Sequence, residues 1–146
     1  MNKEQEDVAK KYKRGQVESA TPGQLIILLY DGAIDYLKRA ENALEKSGPE
    51  CIEKFHNNLI AAQKIIAELT ASLDMEKGGE IAENLFRLYD YMNHQLIEAN
   101  MSKKVQPIHE VQGLLETLKS AWVDVIAQEP AIPANHKPSS GLNLQG

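Results

Sequence analysis

Helix-breaking residues fall at nearly even intervals along this chain: Thr21-Pro22, Ser47-Gly48-Pro49, Gly78-Gly79, Pro107, then Pro130 and Pro133. Proline fixes φ and lacks the amide proton that an interior helical turn needs, while glycine favours the left-handed turn that ends a helix. Between these stops lie four stretches of similar length with helical apolar spacing and no strand-like alternation. Four helices are predicted: Pro22 to about Lys46, Pro49 to a stop between Leu73 and Gly78, Glu80 to Met101, and Pro107 to about Gln128. Thr21 stands three residues before Gln24 with Pro22 at the first helical position, the pattern of a capping box, where each side chain satisfies the other's backbone amide. Helices of about 22 residues span about 33 Å, and short links between them force antiparallel neighbours. The predicted fold is all-α, an antiparallel up-down four-helix bundle over residues 21–128, with a mobile N-terminal segment (1–20) and a disordered tail (129–146) that lack apolar periodicity.

The apolar residues supply the seams. Ile52, Phe55, Leu59, Ala62, Ile66, Leu69 and Leu73 alternate steps of three and four, as do Ile81, Leu85, Leu88, Met92, Leu96 and Ala99, and Ile108, Val111, Leu115, Leu118, Trp122 and Val125. Trp122 is a large apolar plug whose indole N–H requires one acceptor. The first helix is different: Leu25 to Tyr30 is six consecutive apolar positions, which at 100° per residue cover the whole circumference. A seam of Leu25, Leu28, Leu29, Gly32, Ala33, Tyr36, Leu37 and Ala40 leaves Ile27, Tyr30 and Ile34 on another flank. Phe86, Tyr91 and Ile97 on the third helix, and Ile60 and Ile65 on the second, also fall off their seams. Two accounts fit that surplus: hydrophobes scattered over a surface, which are ordinary, or a long groove that takes an amphipathic or extended partner segment. Val8, Tyr12 and Val17 are the apolar residues by which the N-terminal segment would cover such a groove.

Charge and chemistry remove other classes of function. A net charge of -5 and a pI near 5.4 provide no broad basic surface for nucleic acid or anionic lipid. No apolar run approaches the roughly 18 residues of a spanning helix, and the N-terminus lacks a secretory signal pattern, so stable membrane insertion is not expected. The single Cys51 fits a reducing cytoplasm. A di-metal carboxylate bundle needs two Glu-x-x-His pairs, and only Glu53/His56 has that spacing. No phosphate-binding glycine loop, nucleophile elbow or paired-cysteine zinc motif occurs. A non-enzymatic protein with no catalytic residue, metal or cofactor is expected.

Several ordered blocks of residues go beyond what a bundle requires. Ala20-Thr21-Pro22-Gly23-Gln24-Leu25, Leu28-Leu29-Tyr30-Asp31-Gly32, Ala62-Gln63-Lys64-Ile65-Ile66-Ala67-Glu68-Leu69, Ser72-Leu73-Asp74, Gly78-Gly79-Glu80-Ile81-Ala82, Leu88-Tyr89-Asp90-Tyr91-Met92, Leu96-Ile97-Glu98-Ala99-Asn100 and Ala121-Trp122 resemble the flagellin-specific export chaperones of the FliS family. With Tyr12 to Val17 at its start and Asn58-Leu59 in the second helix, the resemblance covers residues 12–126, departing at His94-Gln95, where members often carry basic residues, and at Thr21, where serine is usual. It implies a cytoplasmic helical bundle that binds the disordered C-terminal segment of flagellin, wraps it around the bundle, prevents premature polymerisation and delivers it to the flagellar export gate. It also implies that the N-terminal segment acts as a lid. The expected partner contacts are Tyr12 as lid anchor, Ile27, Tyr30 and Ile34 on the first helix, Gln63 and Ile65 on the second, and Phe86 and Tyr91 on the third. The alternative is a regulatory binding module for another flagellar assembly protein, such as a co-chaperone or an assembly regulator.

Overall fold

The computed structural model describes residues 19–128, which form four helices: α1 (Pro22–Glu45), α2 (Pro49–Ala71), α3 (Gly79–Ser102) and α4 (Gln106–Gln128). Nearly all of the expected lid, Tyr12 included, and all of the expected tail lie outside the described residues. At the start of α1 the capping box is complete. Gln24 N donates to Thr21 Oγ1 at 3.2 Å and Thr21 N donates to Gln24 Oε1 at 3.0 Å, with Pro22 in the first turn.

Each connection is closed by its own chemistry. Gly48 adopts φ +118°, a conformation that L side chains avoid, and so turns the chain directly into Pro49 at the head of α2. After Ser72, Asp74 Oδ1 accepts from the amides of Glu76 and Lys77 at 3.1 and 2.9 Å, while Gly78 N donates to Asp74 O at 2.7 Å. A Cβ on Gly78 would stand 2.5 Å from the Ala82 methyl and 2.6 Å from the Asp74 carbonyl oxygen, so only glycine fits there. Lys103 ends α3 in the left-handed conformation (φ 56°, ψ 40°), its amide donating to Ala99 O at 2.8 Å.

α1 packs on α2 and α4, and α3 packs on the same two helices. The helices therefore form a closed ring in chain order, with α1 diagonal to α3, as the short connections require of an antiparallel up-down bundle. The α2 seam is Phe55, Leu59, Ala62, Ile66 and Leu69, and that of α4 is Ile108, Val111, Leu115 and Trp122. Ile52, Ile81 and Val125, assigned to seams by spacing, lie in terminal turns and are exposed. The run of three-and-four steps continues past the point where a neighbouring helix covers it.

The larger correction concerns α1. Its buried stripe is Ile26, Tyr30, Ala33, Leu37 and Ala40, flanked by Ile34 and Ala43, whereas Leu28, Leu29 and Tyr36 are only partly covered. Tyr30, expected on an open flank, is fully buried, and Ile34 retains 7% exposure. The physical reason lies in the interior of the bundle. Trp122 Nε1 donates to Tyr30 Oη at 3.1 Å, and Tyr30 Oη shares a 2.5 Å hydrogen bond with Tyr89 Oη of α3, itself fully buried and absent from the predicted seam. The acceptor that the Trp122 indole requires is thus the phenol of Tyr30. No buried side-chain nitrogen or oxygen among the described residues lacks a partner.

Burial raises the ionisation of both phenols above the ordinary tyrosine range, opposed at Tyr30 by the hydrogen bonds from Tyr89 and Trp122 and reinforced at Tyr89 by the charge and hydrogen bond of Tyr30. A phenol whose folded pKa is raised is fully stabilising below about pH 10, the unfolded value, and that stability is lost as pH rises toward the folded value. Alkaline titration followed by tyrosinate absorbance should therefore show Tyr30 and Tyr89 ionising only as the helices melt. Substitution separates the node's parts: Tyr30→Phe orphans both the Trp122 N–H and the Tyr89 hydroxyl, whereas Tyr89→Phe leaves the Trp122–Tyr30 bond in place. At about 1–3 kcal/mol per orphaned buried group, urea unfolding should show Tyr30→Phe costing roughly twice as much as Tyr89→Phe.

Candidate partner-binding surface

The ring leaves four inter-helix grooves, and the expected contact residues distribute among them. Between α2 and α3, Gln63 Nε2 donates to Asn93 Oδ1 at 2.8 Å across the groove. Beside this pair lies a depression of about 340 Å³ with Ile66 and Tyr89 among its lining residues and Ala67, Thr70, Asp90 and Phe86 around it. Ala67 opens the depression by being small, and Phe86, 46% exposed, forms an apolar wall facing solvent. Ile97, 43% exposed, lies one helical turn beyond Asn93 on the same side of α3. Farther along, Asn100 Nδ2 donates to His56 Nδ1 at 2.7 Å, a second polar link between the same two helices.

Ile27 lies in a different place. With Leu28, Val123, Ile126 and Ala127 it lines a cleft of about 550 Å³ between the start of α1 and the end of α4. The cleft is mostly apolar because both helix ends are: a Cβ on Gly23 would meet Ile126 Cδ1 at 3.0 Å, and Val123 is left 44% exposed. Farther down the same helix pair the character changes, with Asp31, Asp35, Lys38, Glu116 and Lys119 around a charged depression and Lys119 Nζ paired to Asp31.

Ile65 faces α1, its Cδ1 standing 3.0 Å from where a Gly32 Cβ would be, and it lines a shallow groove with Tyr36 and Ile60. Gly32 is the residue that lets α2 approach here. Tyr91 turns to the fourth groove, where its hydroxyl donates to Glu110 of α4 and Gln95 Nε2 donates to Glu110 Oε2 at 3.2 Å. That hydrogen bond to a carboxylate raises the Tyr91 phenol above its ordinary range, with smaller contributions from desolvation and from the Glu110 charge.

Of the expected residues, the structure brings together only Gln63 and Phe86. Ile27, Ile65 and Tyr91 each stand on a separate groove, and Tyr30 and Ile34 belong to the core. Sequence reasoning did not single out Asn93 or Asn100, and it considered His56 only as half of a Glu-x-x-His pair. The signal was nevertheless present, since His56 and Gln63 are seven residues apart on α2 and Asn93 and Asn100 seven apart on α3. Among the described residues no three His, Cys, Asp or Glu side chains are placed to hold a metal, and no helix is long and apolar enough to cross a membrane.

The sequence matches the family described as flagellar protein FliS over residues 4–129. The chain belongs to that family. It is 45% identical over 109 residues to the flagellar secretion chaperone FliS of Salmonella typhimurium, covering 75% of this chain and 79% of that protein. It is 42% identical over 107 residues to the flagellar secretion chaperone FliSB of Pseudomonas aeruginosa, covering 73% and 82%. With the flagellar secretion chaperone FliS of Bacillus subtilis the identity is 33% over 118 residues, covering 81% and 85%. As a FliS-family bundle the chain keeps apolar side chains open to solvent in its grooves while its core is complete. Phe86→Ala should therefore leave the urea midpoint nearly unchanged, whereas Leu59→Ala, at a fully buried position, should cost about 2–5 kcal/mol.

Proposed function

We propose that this protein is a cytoplasmic export chaperone that binds the C-terminal segment of flagellin, keeps it from polymerising prematurely and supports its delivery to the flagellar export gate. The observation that carries this is the open α2–α3 groove, where Phe86 and Ile97 stay exposed beside a depression in a bundle whose core is otherwise satisfied. Relatives named as flagellar secretion chaperones support a role in flagellar secretion. A second open apolar surface, the α1–α4 cleft at Ile27, lies on the other side of the ring and suits a client long enough to wrap around the bundle. Gln63 and Phe86 are the proposed contacts in the first surface and Ile27 in the second. Ile65 and Tyr91 are proposed on the faces between, and Tyr12 as the residue that covers the surface when no client is bound. The protein acts by occupying the client's surface rather than by catalysis. A client that is disordered when free spends several kcal/mol on ordering, which moderates affinity and permits release.

Calorimetric titration with a peptide spanning the C-terminal segment of the same organism's flagellin tests this, with a scrambled peptide as control. Sequence-dependent binding with a negative heat-capacity change is expected, and Phe86→Ala should weaken it by about tenfold or more. Absence of binding by the folded protein would overturn the proposal.

A further inference from the structure

The Gln63–Asn93 bond leaves two polar atoms uncommitted. One amide proton of Gln63 is given to Asn93 Oδ1, and neither Gln63 Oε1 nor Asn93 Nδ2 has a protein partner among the described residues. Neither is sealed from solvent, and both side chains line the α2–α3 depression. One acceptor and one donor are therefore left on two linked side chains of a half-buried groove, the hydrogen-bonding complement of a carboxamide group. Exchanging the O and N assignments of both amides leaves the same pair.

One heptad away on both helices the pattern repeats in altered form. Asn100 Nδ2 donates to His56 Nδ1, Asn100 Oδ1 accepts from Lys103 Nζ at 3.0 Å, and His56 Nε2 remains open. One heptad the other way the positions are Thr70 and Phe86, and there the polarity ends, because Thr70 Oγ1 donates to Ile66 O at 2.8 Å and Phe86 faces solvent. The groove thus has polar links at two heptad positions and an apolar wall at the third.

Resting on the proposed chaperone function, we infer that the α2–α3 groove takes its client as an α-helix and that the Gln63–Asn93 pair sets the register by reading one Asn or Gln side chain of that helix. Seven residues of helix rise about 10.5 Å, so a docked helix brings residues i and i+7 to successive links on one face. An extended segment covers that distance in about three residues, and residues three apart on a strand point to opposite faces. A client side chain three or four residues from the reading amide, toward Phe86, is the one that enters the depression beside Ala67, and it is apolar. Apolar contact supplies affinity, while the amide pair rejects a register that puts an apolar side chain against it, since such a register strands two hydrogen-bonding groups.

The test pairs Gln63→Leu/Asn93→Leu, which removes both amides together, with the swapped variant Gln63→Asn/Asn93→Gln, which keeps one amide on each helix. Both are titrated with the flagellin C-terminal peptide and its scrambled control. They are also titrated with a designed amphipathic helix bearing Asn at positions i and i+7 and leucine between, and with its Asn→Ala version. Against the wild-type protein, the leucine pair should bind flagellin about tenfold more weakly and lose most of its discrimination between the Asn and Ala helices, with the swapped variant retaining it. Flagellin binding and helix discrimination unchanged in the leucine pair would overturn the register role and leave the chaperone function standing. Discrimination between the designed helices with no flagellin binding would do the reverse, and binding of neither peptide by the wild-type protein would overturn both.

Discussion

The hydrogen bonds from Trp122 to Tyr30 and between Tyr30 and Tyr89 determine how the bundle is arranged, because they tie α1, α3 and α4 together through the interior. Helices α1 and α3 are diagonal in the ring, and their contact is made at its centre by two phenols meeting hydroxyl to hydroxyl. An apolar core accepts many rotations of a helix at similar cost, since hydrophobic burial has no direction. A buried hydroxyl accepts few, since every rotation that breaks its bond leaves a polar group unpaired away from water. For α1 this directionality decides the phase. Its six-residue apolar run contains no polar position to mark an outer face, so hydrophobicity alone does not choose among rotations.

Much follows from that choice of phase. With Tyr30 pointing to the centre, Ala33, Leu37 and Ala40 complete the inner stripe and Gly32 turns toward α2, where it accommodates Ile65. Ile27 moves to the α4 side and joins Val123 and Ile126 in the apolar cleft. The phase expected from spacing shares Ala33, Leu37 and Ala40 with this stripe but is rotated from it, and would have buried Leu25, Leu28 and Tyr36 and displayed Tyr30 and Ile34. Both versions satisfy a three-and-four spacing rule, and only the partners of Tyr30 on other helices separate them.

This explains where the structure was legible in the sequence and where it was not. Helix number, the Thr21–Gln24 cap, the Gly48-Pro49 turn and the inner seams of α2 and α4 rest on local chemistry, in which each residue carries its own signal. The phase of α1 and the burial of Tyr89 rest on a contact between residues 59 positions apart, and no window along the chain contains both. The exposure of Ile52, Ile81 and Val125 has a similar origin, since periodicity records which face a residue shares but not how far the covering helix extends. For the candidate site, Phe86 and Ile97 were visible as off-seam hydrophobes on one helix. Which groove each one faces was not visible, and the expected contacts that remain outside the core stand on four grooves.

Two sets of polar residues between helices differ in how far they are enclosed, and the proposed recognition role of the second set rests on that difference. At Tyr30, Tyr89 and Trp122 the groups are buried and each makes at least one hydrogen bond within the chain, so their bonding holds the helices to one another. At Gln63 and Asn93 the side chains are half-buried, one bond is made, and an acceptor and a donor remain facing a groove. Water satisfies that remainder while the groove is empty, at little cost because the groove is open. A helix entering the groove displaces that water and must replace its hydrogen bonds or forfeit them. On the proposed reading, the penalty falls on the wrong register rather than on the unbound state.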